Sequence, residues 1–381
     1  MRLTVFGSGH PYRGGVARTT TDLVRSLEAR GHDVLFLTPR RQYPGWLFPG
    51  ANDRDPDACP RLDCAESILD PLQPFSWPGS RMRAKDYRAE AWILPYWTWA
   101  WAGLWRWLLR AGRPPVVAVA HNPADHGAGI LRRSAARSIL RRCDAIFTHA
   151  KVLEEEFTAA YPGLPTASHP LPPPEIGELP PRGEARETLD IPADRRVALF
   201  LGLIRPYKGV DLLLEAMARQ PQVSDWLLVV AGEPWGDLGS ALQRRVRDLG
   251  IEERVRLRLA WVPEPEVPRL LAAADLVVLP YRSGSQSAVA PFALAAGLPV
   301  LSTRVGGLPE VVRDGVNGLL VAPNSVDELT RAFEKLDQSR LAALAEGARA
   351  SRFRLTWGGY AAALEDLLQR VVIPAKVTSN Q

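Results

Sequence analysis

Residues 169–182 read HPLPPPEIGELPPR. Six prolines in fourteen residues exclude both a helix interior and a central strand there. The stretch is read as a linker, taken as 173–190, between an N-terminal domain, 1–172, and a C-terminal domain, 191–353. The chain has 381 residues and 46% hydrophobic content, enough to fill two cores of roughly 150–200 residues each. In both halves short β-rich runs alternate with amphipathic helical stretches, the order expected of parallel sheets with crossover helices. The fold class is therefore α/β, with two doubly wound, Rossmann-like domains.

In the first half the apolar runs predict strands at 3–6, 34–37, 92–94, 116–120 and 145–148, and a helix over 16–30 that stops before Gly31. In the second half strands are predicted at 197–201, 227–231, 254–257, 276–279, 300–302 and 319–321. Helices are expected at 210–219, 239–249, 264–273, 287–296 and 326–336, with a last amphipathic helix over 356–372 and a polar frayed tail from Pro374. The longest apolar stretch, 91–109, carries six tryptophans and is broken by Pro95, Thr98, Gly103 and Arg106. It reads as a strand and a partly buried helix rather than a membrane span. Three cysteines, Cys59, Cys64 and Cys143, lack metal-ligand spacing and suit free thiols in a reducing compartment. A net charge of +5 admits anionic partners without selecting one.

Three loops carry the chemistry. Strand one runs into Gly7-Ser8-Gly9-His10-Pro11-Tyr12-Arg13-Gly14-Gly15, which lets backbone amides approach an anion at the next helix. As a dinucleotide fingerprint it fails, because the third glycine would fall at Tyr12 and strand two ends in Thr38, Pro39, Arg40 and Arg41 without an acidic residue. A tight turn serving only packing fits it too. In the second half Gly202-Leu203-Ile204-Arg205-Pro206-Tyr207-Lys208-Gly209 joins a strand to a helix and sets two cations at the carboxyl edge of the sheet, where they can hold a diphosphate. Solvated surface charge is the plain alternative. Tyr281-Arg282-Ser283-Gly284-Ser285-Gln286-Ser287 offers a second anion cradle, unless Ser287 is simply an N-cap.

Taken together, Gly14-Gly15, RPYKG at 205–209, AGE at 231–233, the 281–287 run, GLPV at 297–300 and GGLPEVV at 306–312 resemble the retaining glycosyltransferases of family 4. The resemblance spans almost the whole chain. It implies the GT-B fold: two Rossmann-like domains facing a cleft, a nucleotide-sugar donor held mainly by the C-terminal one, and a last helix, 354–373, returning to the N-terminal domain. It implies catalytic roles for His121, Arg205 and Lys208, and a donor site that also includes Gly14, Gly15, Gly232, Trp261, Val262, Ser285, Gln286, Ser287 and Glu310. The family's paired glutamates would fall at Gly284 and Phe292, so both are absent, and 285–289 resembles a variant in which Ser-Gln-Ser takes their place.

The activity so implied is transfer of a hexosyl-type sugar from a nucleotide diphosphate sugar, with retention of configuration, to a glycan, lipid-linked or small-molecule acceptor, as in polysaccharide biosynthesis. No cofactor and no metal are expected, since no DxD-type run sits at a strand end. Acceptor contacts are expected from Arg40, Tyr43 and Trp97, although a tryptophan cluster is equally at home in a core. The basic segment 130–142, with Arg132, Arg133, Arg137, Arg141 and Arg142, could rest on an anionic membrane or be an ordinary solvated face. No nucleic-acid partner is expected, and the location is cytoplasmic, free or peripheral at the inner membrane face. A nicotinamide oxidoreductase, an inactive carbohydrate- or nucleotide-binding homologue and a nucleotide-sugar epimerase are the rival readings.

Overall fold

The computed structural model describes residues 1–42, 53–55, 62–121, 130–221, 223–352 and 354–379, with the side chains at 130–132 and 374–379 outside that description. The chain forms two compact units, Met1–Pro172 together with Thr356–Gln381, and Pro173–Leu355.

The first unit is built on strands β1 (Arg2–Phe6), β2 (Asp33–Pro39), β3 (Ala65–Leu69), β4 (Ala91–Tyr96), β5 (Val116–Ala120), β6 (Ala145–Thr148) and β7 (Thr166–Ser168). Their connections contain helices α1 (Gly15–Ala29), α2 (Trp77–Asp86), α3 (Ala102–Leu108), α4 (Ile130–Leu140) and α5 (Lys151–Ala160). Every strand pair is parallel, in the order β3-β2-β1-β4-β5-β6-β7. β4, β5 and β6 are buried along their whole length, as parallel strands covered on both faces must be. The tryptophans of 91–109 divide by position: Trp92, Trp101 and Trp105 are fully buried, Trp97 nearly so, and Trp99 is at the surface.

The second unit begins with α6 (Arg182–Thr188) and continues β8 (Arg196–Leu201), α7 (Val210–Ala218), β9 (Trp226–Ala231), α8 (Leu238–Asp248), β10 (Val255–Arg258), α9 (Val267–Ala273), β11 (Leu276–Leu279) and α10 (Val289–Ala295). It closes with β12 (Val300–Thr303), α11 (Leu308–Val311), β13 (Gly318–Val321), α12 (Val326–Glu334) and α13 (Gln338–Ser351). Its sheet is also wholly parallel, in the order β10-β9-β8-β11-β12-β13. α6 lies inside the span read as linker. Pro181 stands just before its first residue, where a missing amide costs nothing, and no proline follows within it. Its Arg186 is buried, donating to Asp275 at 2.8 Å and to the carbonyls of Ala273 and Ala193, so the buried charge is both paired and hydrogen-bonded.

The last helix, α14 (Trp357–Ser379), belongs to the first unit, where it packs against α1, β6 and β7. Tyr360, Leu364, Leu367 and Leu368 line its buried face. Arg30 donates twice to Glu365 at 2.6 Å, and the His32 ring lies 2.6 Å from the same carboxylate. The Arg30 hydrogen bonds hold the Glu365 carboxyl down at about 2. The tail expected to fray from Pro374 stays helical to Ser379, since 375–379 contains no glycine or second proline to end the helix. Among the described residues no helix is long and apolar enough to cross a membrane.

Candidate functional site

In the second unit the chain turns from β8 toward β9 and β10 on one side, and from β11 toward β12 and β13 on the other. β8 and β11 are adjacent, so the loops leaving their carboxyl ends diverge and open a crevice at the point where the strand order reverses. Arg205 and Lys208 stand in the first of these loops and residues 281–287 form the second. Sequence reasoning placed both at strand ends; the sheet order makes them neighbours.

The loop after β8 is held from both sides. Ile204 exchanges backbone hydrogen bonds with the turn after β9, accepting from Trp235 and donating to Glu233. Pro206–Lys208 forms one 3-10 turn, and Gly209 follows at φ 68°, ψ 27°. A Cβ at Gly209 would sit 2.1 Å from the Pro280 carbonyl oxygen, and one at Gly232 would sit 2.0 Å from that of Gly202, so both turns require glycine for close backbone approach. From the other side, the Arg282 amide donates to the Tyr207 carbonyl at 2.7 Å. The Arg282 guanidinium is engaged by Asp211 and Asn324, which makes it a strut of the loop.

Arg205 lies with its guanidinium carbon 3.5 Å from the centre of the Trp235 ring, a cation–π seat that orients the planar fork. The Lys208 ammonium is 5.5 Å from the centre of the buried Tyr281 ring. Burial, reinforced by the Arg205 charge, holds Lys208 below its ordinary pKa. Arg205 and Lys208 are thus two cations of one loop, each on an aromatic seat, a combination of the kind that can hold a dianion.

The 281–287 loop supplies the opposite wall. Ser285 is buried and its carbonyl accepts from the Gly307 amide at 2.8 Å, which ties this loop to the turn after β12. α10 starts at Val289, not at Ser287; the Ser287 hydroxyl accepts from the Val289 amide and lies 3.2 Å from the Tyr281 hydroxyl, so Ser287 stabilises the loop before the helix and does not cap it. Gln286 is half-buried beside it, and Glu310 is exposed in the first turn of α11. Trp261 and Val262 follow β10 at the same edge of the sheet, Trp261 half-buried and Val262 packed against the core. Phe292, where the resemblance puts a carboxylate, also packs against that core.

In the first unit the strand order reverses between β1 and β4. The loop after β1 ends in Gly14, the residue before α1, at φ 110°; a side chain at Gly14 or Gly15 would meet nothing within 4 Å. His121 follows β5, buried, and its ring centre is 4.6 Å from that of His149, which follows β6. Burial holds the His121 imidazole down at about 4, so it is neutral at physiological pH. Arg40 is exposed beyond β2, while Arg41 is paired with the buried Asp70 at 3.0 Å. Tyr43 lies outside the described residues, as does the side chain of Arg132. Trp97 is buried in the core, with its ring centre 4.7 Å from that of Trp101. Sequence reasoning missed Trp235, His149 and Tyr360. Among the described residues no cluster of three or more His, Cys, Asp or Glu side chains is arranged to hold a metal.

Residues 181–351 match the model described as glycosyl transferases group 1, and residues 13–172 match that of glycosyltransferase family 4. The chain belongs to the family 4 glycosyltransferases. Among curated relatives, the D-inositol 3-phosphate glycosyltransferase of Thermobispora bispora is 37% identical over 214 residues, covering 52% of this chain and 50% of that protein. The one from Mycobacterium marinum is 40% identical over 174 residues, covering 45% of this chain and 36% of that protein. The family 4 chain thus spans half or less of the length of these relatives. Sucrose-phosphate synthase from Thermosynechococcus elongatus superposes with a TM-score of 0.79 at 20% identity, covering 98% of this chain and all of that one. Anabaena HepE, solved in complex with UDP-glucose, gives 0.75 at 19% identity over the full length of both. At such identities the likeness is one of fold: two Rossmann-like, parallel-sheet domains of the GT-B type.

Proposed function

We propose that this protein is a retaining glycosyltransferase that moves a hexosyl-type sugar from a nucleotide diphosphate sugar to a hydroxyl of its acceptor, without a metal. The reading is carried by one observation: Arg205 and Lys208 converge with the 281–287 loop at the strand-order reversal of the second unit's sheet. The diphosphate would lie across the two cations. As the bond between anomeric carbon and phosphate oxygen breaks, the acceptor oxygen bonds the same carbon on the face just vacated, and its proton passes to the departing phosphate. The charge growing on that phosphate is what Arg205 and Lys208 stabilise, in a preformed, partly dry setting. In the first unit, Gly14 and Gly15 leave open space beside the start of α1, His121 would offer a neutral imidazole to a sugar hydroxyl, and Arg40 would contact the acceptor. The relatives' names favour a small polyol acceptor, and the nucleotide of HepE favours a uridine donor. Exposed Arg133, Arg137, Arg141 and Arg142 on and after α4 suit a cytoplasmic enzyme resting on anionic lipid.

A second reading, an inactive sugar- or nucleotide-binding homologue, is favoured by one feature: neither Gly284 nor the core-packed Phe292 supplies a carboxylate. One experiment separates the two. Thermal shift and product release are measured with UDP-, GDP-, dTDP- and ADP-sugars, with and without EDTA, for wild type, Arg205→Ala and Lys208→Ala. A ligand at 1,000 times its Kd adds about 4 kcal/mol to native stability. One nucleotide class should stabilise wild type and be turned over, and both effects should fall in the variants. Stabilisation without turnover, with every acceptor class tried, selects the inactive homologue.

A further inference from the structure

β5, β6 and β7 lead at their carboxyl ends into His121, His149 and His169, and α14 lays Tyr360 among them. The Tyr360 ring stacks on His149 with 5.8 Å between centres and 18° between planes, and meets His169 edge-on at 5.7 Å. Tyr360 is completely buried, and its hydroxyl lies 3.1 Å from His149 Nδ1. A buried phenol needs an acceptor for its proton, and a neutral imidazole offers one unprotonated nitrogen. If the phenol donates to Nδ1, both groups are satisfied. His149 is then the tautomer that carries its proton on Nε2, an assignment that follows from the hydrogen-bond arrangement.

That leaves a feature the fold does not use. His149 is only 2% exposed, and its Nε2 has no hydrogen-bond partner among the described residues. Phenylalanine would fill the same volume without burying an unpaired donor. A donor kept in such a place, at the carboxyl edge of a parallel sheet and in ring contact with His121, is explained by an acceptor oxygen that arrives with a ligand.

We infer that His149 is a ligand-binding residue whose Nε2–H donates to a hydroxyl oxygen of a bound sugar or polyol, and that Tyr360 is the positioning residue that fixes its tautomer. The inference rests on the glycosyltransferase reading for the identity of the ligand. Burial, with His121 and His169 as neighbours, keeps His149 neutral. A neutral imidazole suits an uncharged hydroxyl better than a phosphate, which would draw it toward its charged form.

The test uses the full chain with selectively 15N-labelled histidine. Long-range 1H–15N spectra should show His149 protonated at Nε2 in wild type and a mixed or inverted tautomer in Tyr360→Phe. Kinetics at saturating donor then compare His149→Gln, whose amide nitrogen falls near the Nε2 position, with His149→Asn, whose amide falls near Nδ1. His149→Gln should keep the acceptor KM within about threefold of wild type, and His149→Asn should raise it roughly tenfold with donor KM unchanged. Tyr360→Phe should also raise acceptor KM. Equal KM values in Asn and Gln variants at matched melting temperature would overturn the inference, as would a wild-type proton on Nδ1. Should the wild type turn over no nucleotide sugar, the glycosyltransferase reading falls separately. Titration of glucose and myo-inositol against the His149 Nε2 resonance then decides: a saturable shift supports the contact, and no shift removes it.

Discussion

Gly209→Ala should damage the proposed donor site. The residue sits at φ 68°, where a Cβ costs about 1–2 kcal/mol. The added carbon would also lie 2.1 Å from the Pro280 carbonyl oxygen, so β11's exit loop and the Arg205–Lys208 turn must part by about 1 Å to reach ordinary contact. Strain and displacement together predict a loss of about 2–4 kcal/mol, or a fall in melting temperature on the order of 5–15 °C. The same displacement separates the two cations from the 281–287 wall, and misplacement of that size costs on the order of a hundredfold. Gly15→Ala is the control, since a Cβ there meets nothing within 4 Å; its stability should stay within about 0.5 kcal/mol of wild type. Calorimetric titration of the nucleotide diphosphate, run well below both melting temperatures, gives the answer. A Gly209→Ala protein that binds nucleotide within threefold of wild type would refute the claim that this backbone contact sets the geometry of the cations.

Further outcomes follow from the same structure. Trp235→Ala removes the ring beneath Arg205 and should weaken nucleotide binding by the severalfold expected of a cation–π contact worth about 0.5–1 kcal/mol, with little change in melting temperature. Because burial lowers the Lys208 pKa in the free protein, diphosphate binding at alkaline pH should take up protons, seen as a buffer-dependent binding enthalpy that disappears in Lys208→Met. Trp97→Ala should cost about 3–5 kcal/mol of stability, as a buried aromatic does, and should not selectively raise the acceptor KM. Glu365 has a folded-state pKa depressed to about 2, so its contribution is present above the ordinary carboxylate pKa of 4.5 and is lost as pH falls toward 2. Glu365→Gln should therefore melt below wild type at pH 7 and together with it near pH 2.

The strands that were legible in the sequence are the buried ones. β5, β6, β8 and β11 are covered on both faces and read as unbroken apolar runs. β3 and β7 escaped because they form the two edges of their sheet and are only half-buried: Ala65–Leu69 carries Glu66 and Ser67, and Thr166–Ser168 is three small residues long. The two cations of the second unit were visible because Arg205 and Lys208 lie in one loop between a strand and a helix. Trp235 was not, because its partner is thirty residues away in sequence and the two turns meet only when β8 and β9 pair. His149 and Tyr360 show the same limit over a longer span: one follows a strand, the other sits inside a helix more than two hundred residues later, and neither has a local pattern that announces the contact.

The position of α14 bears on how the protein is made. Because α14 completes the first unit and the chain passes through all of the second unit before reaching it, synthesis delivers the inner unit first. Until α14 has emerged from the ribosome, β6, β7 and α1 leave uncovered the surface that Tyr360, Leu364, Leu367 and Leu368 will fill. The second unit can close around its own core while the first waits for its final helix. A message truncated shortly after Leu355 would therefore yield a finished C-terminal unit joined to an N-terminal unit that lacks its closing element and is exposed to proteolysis.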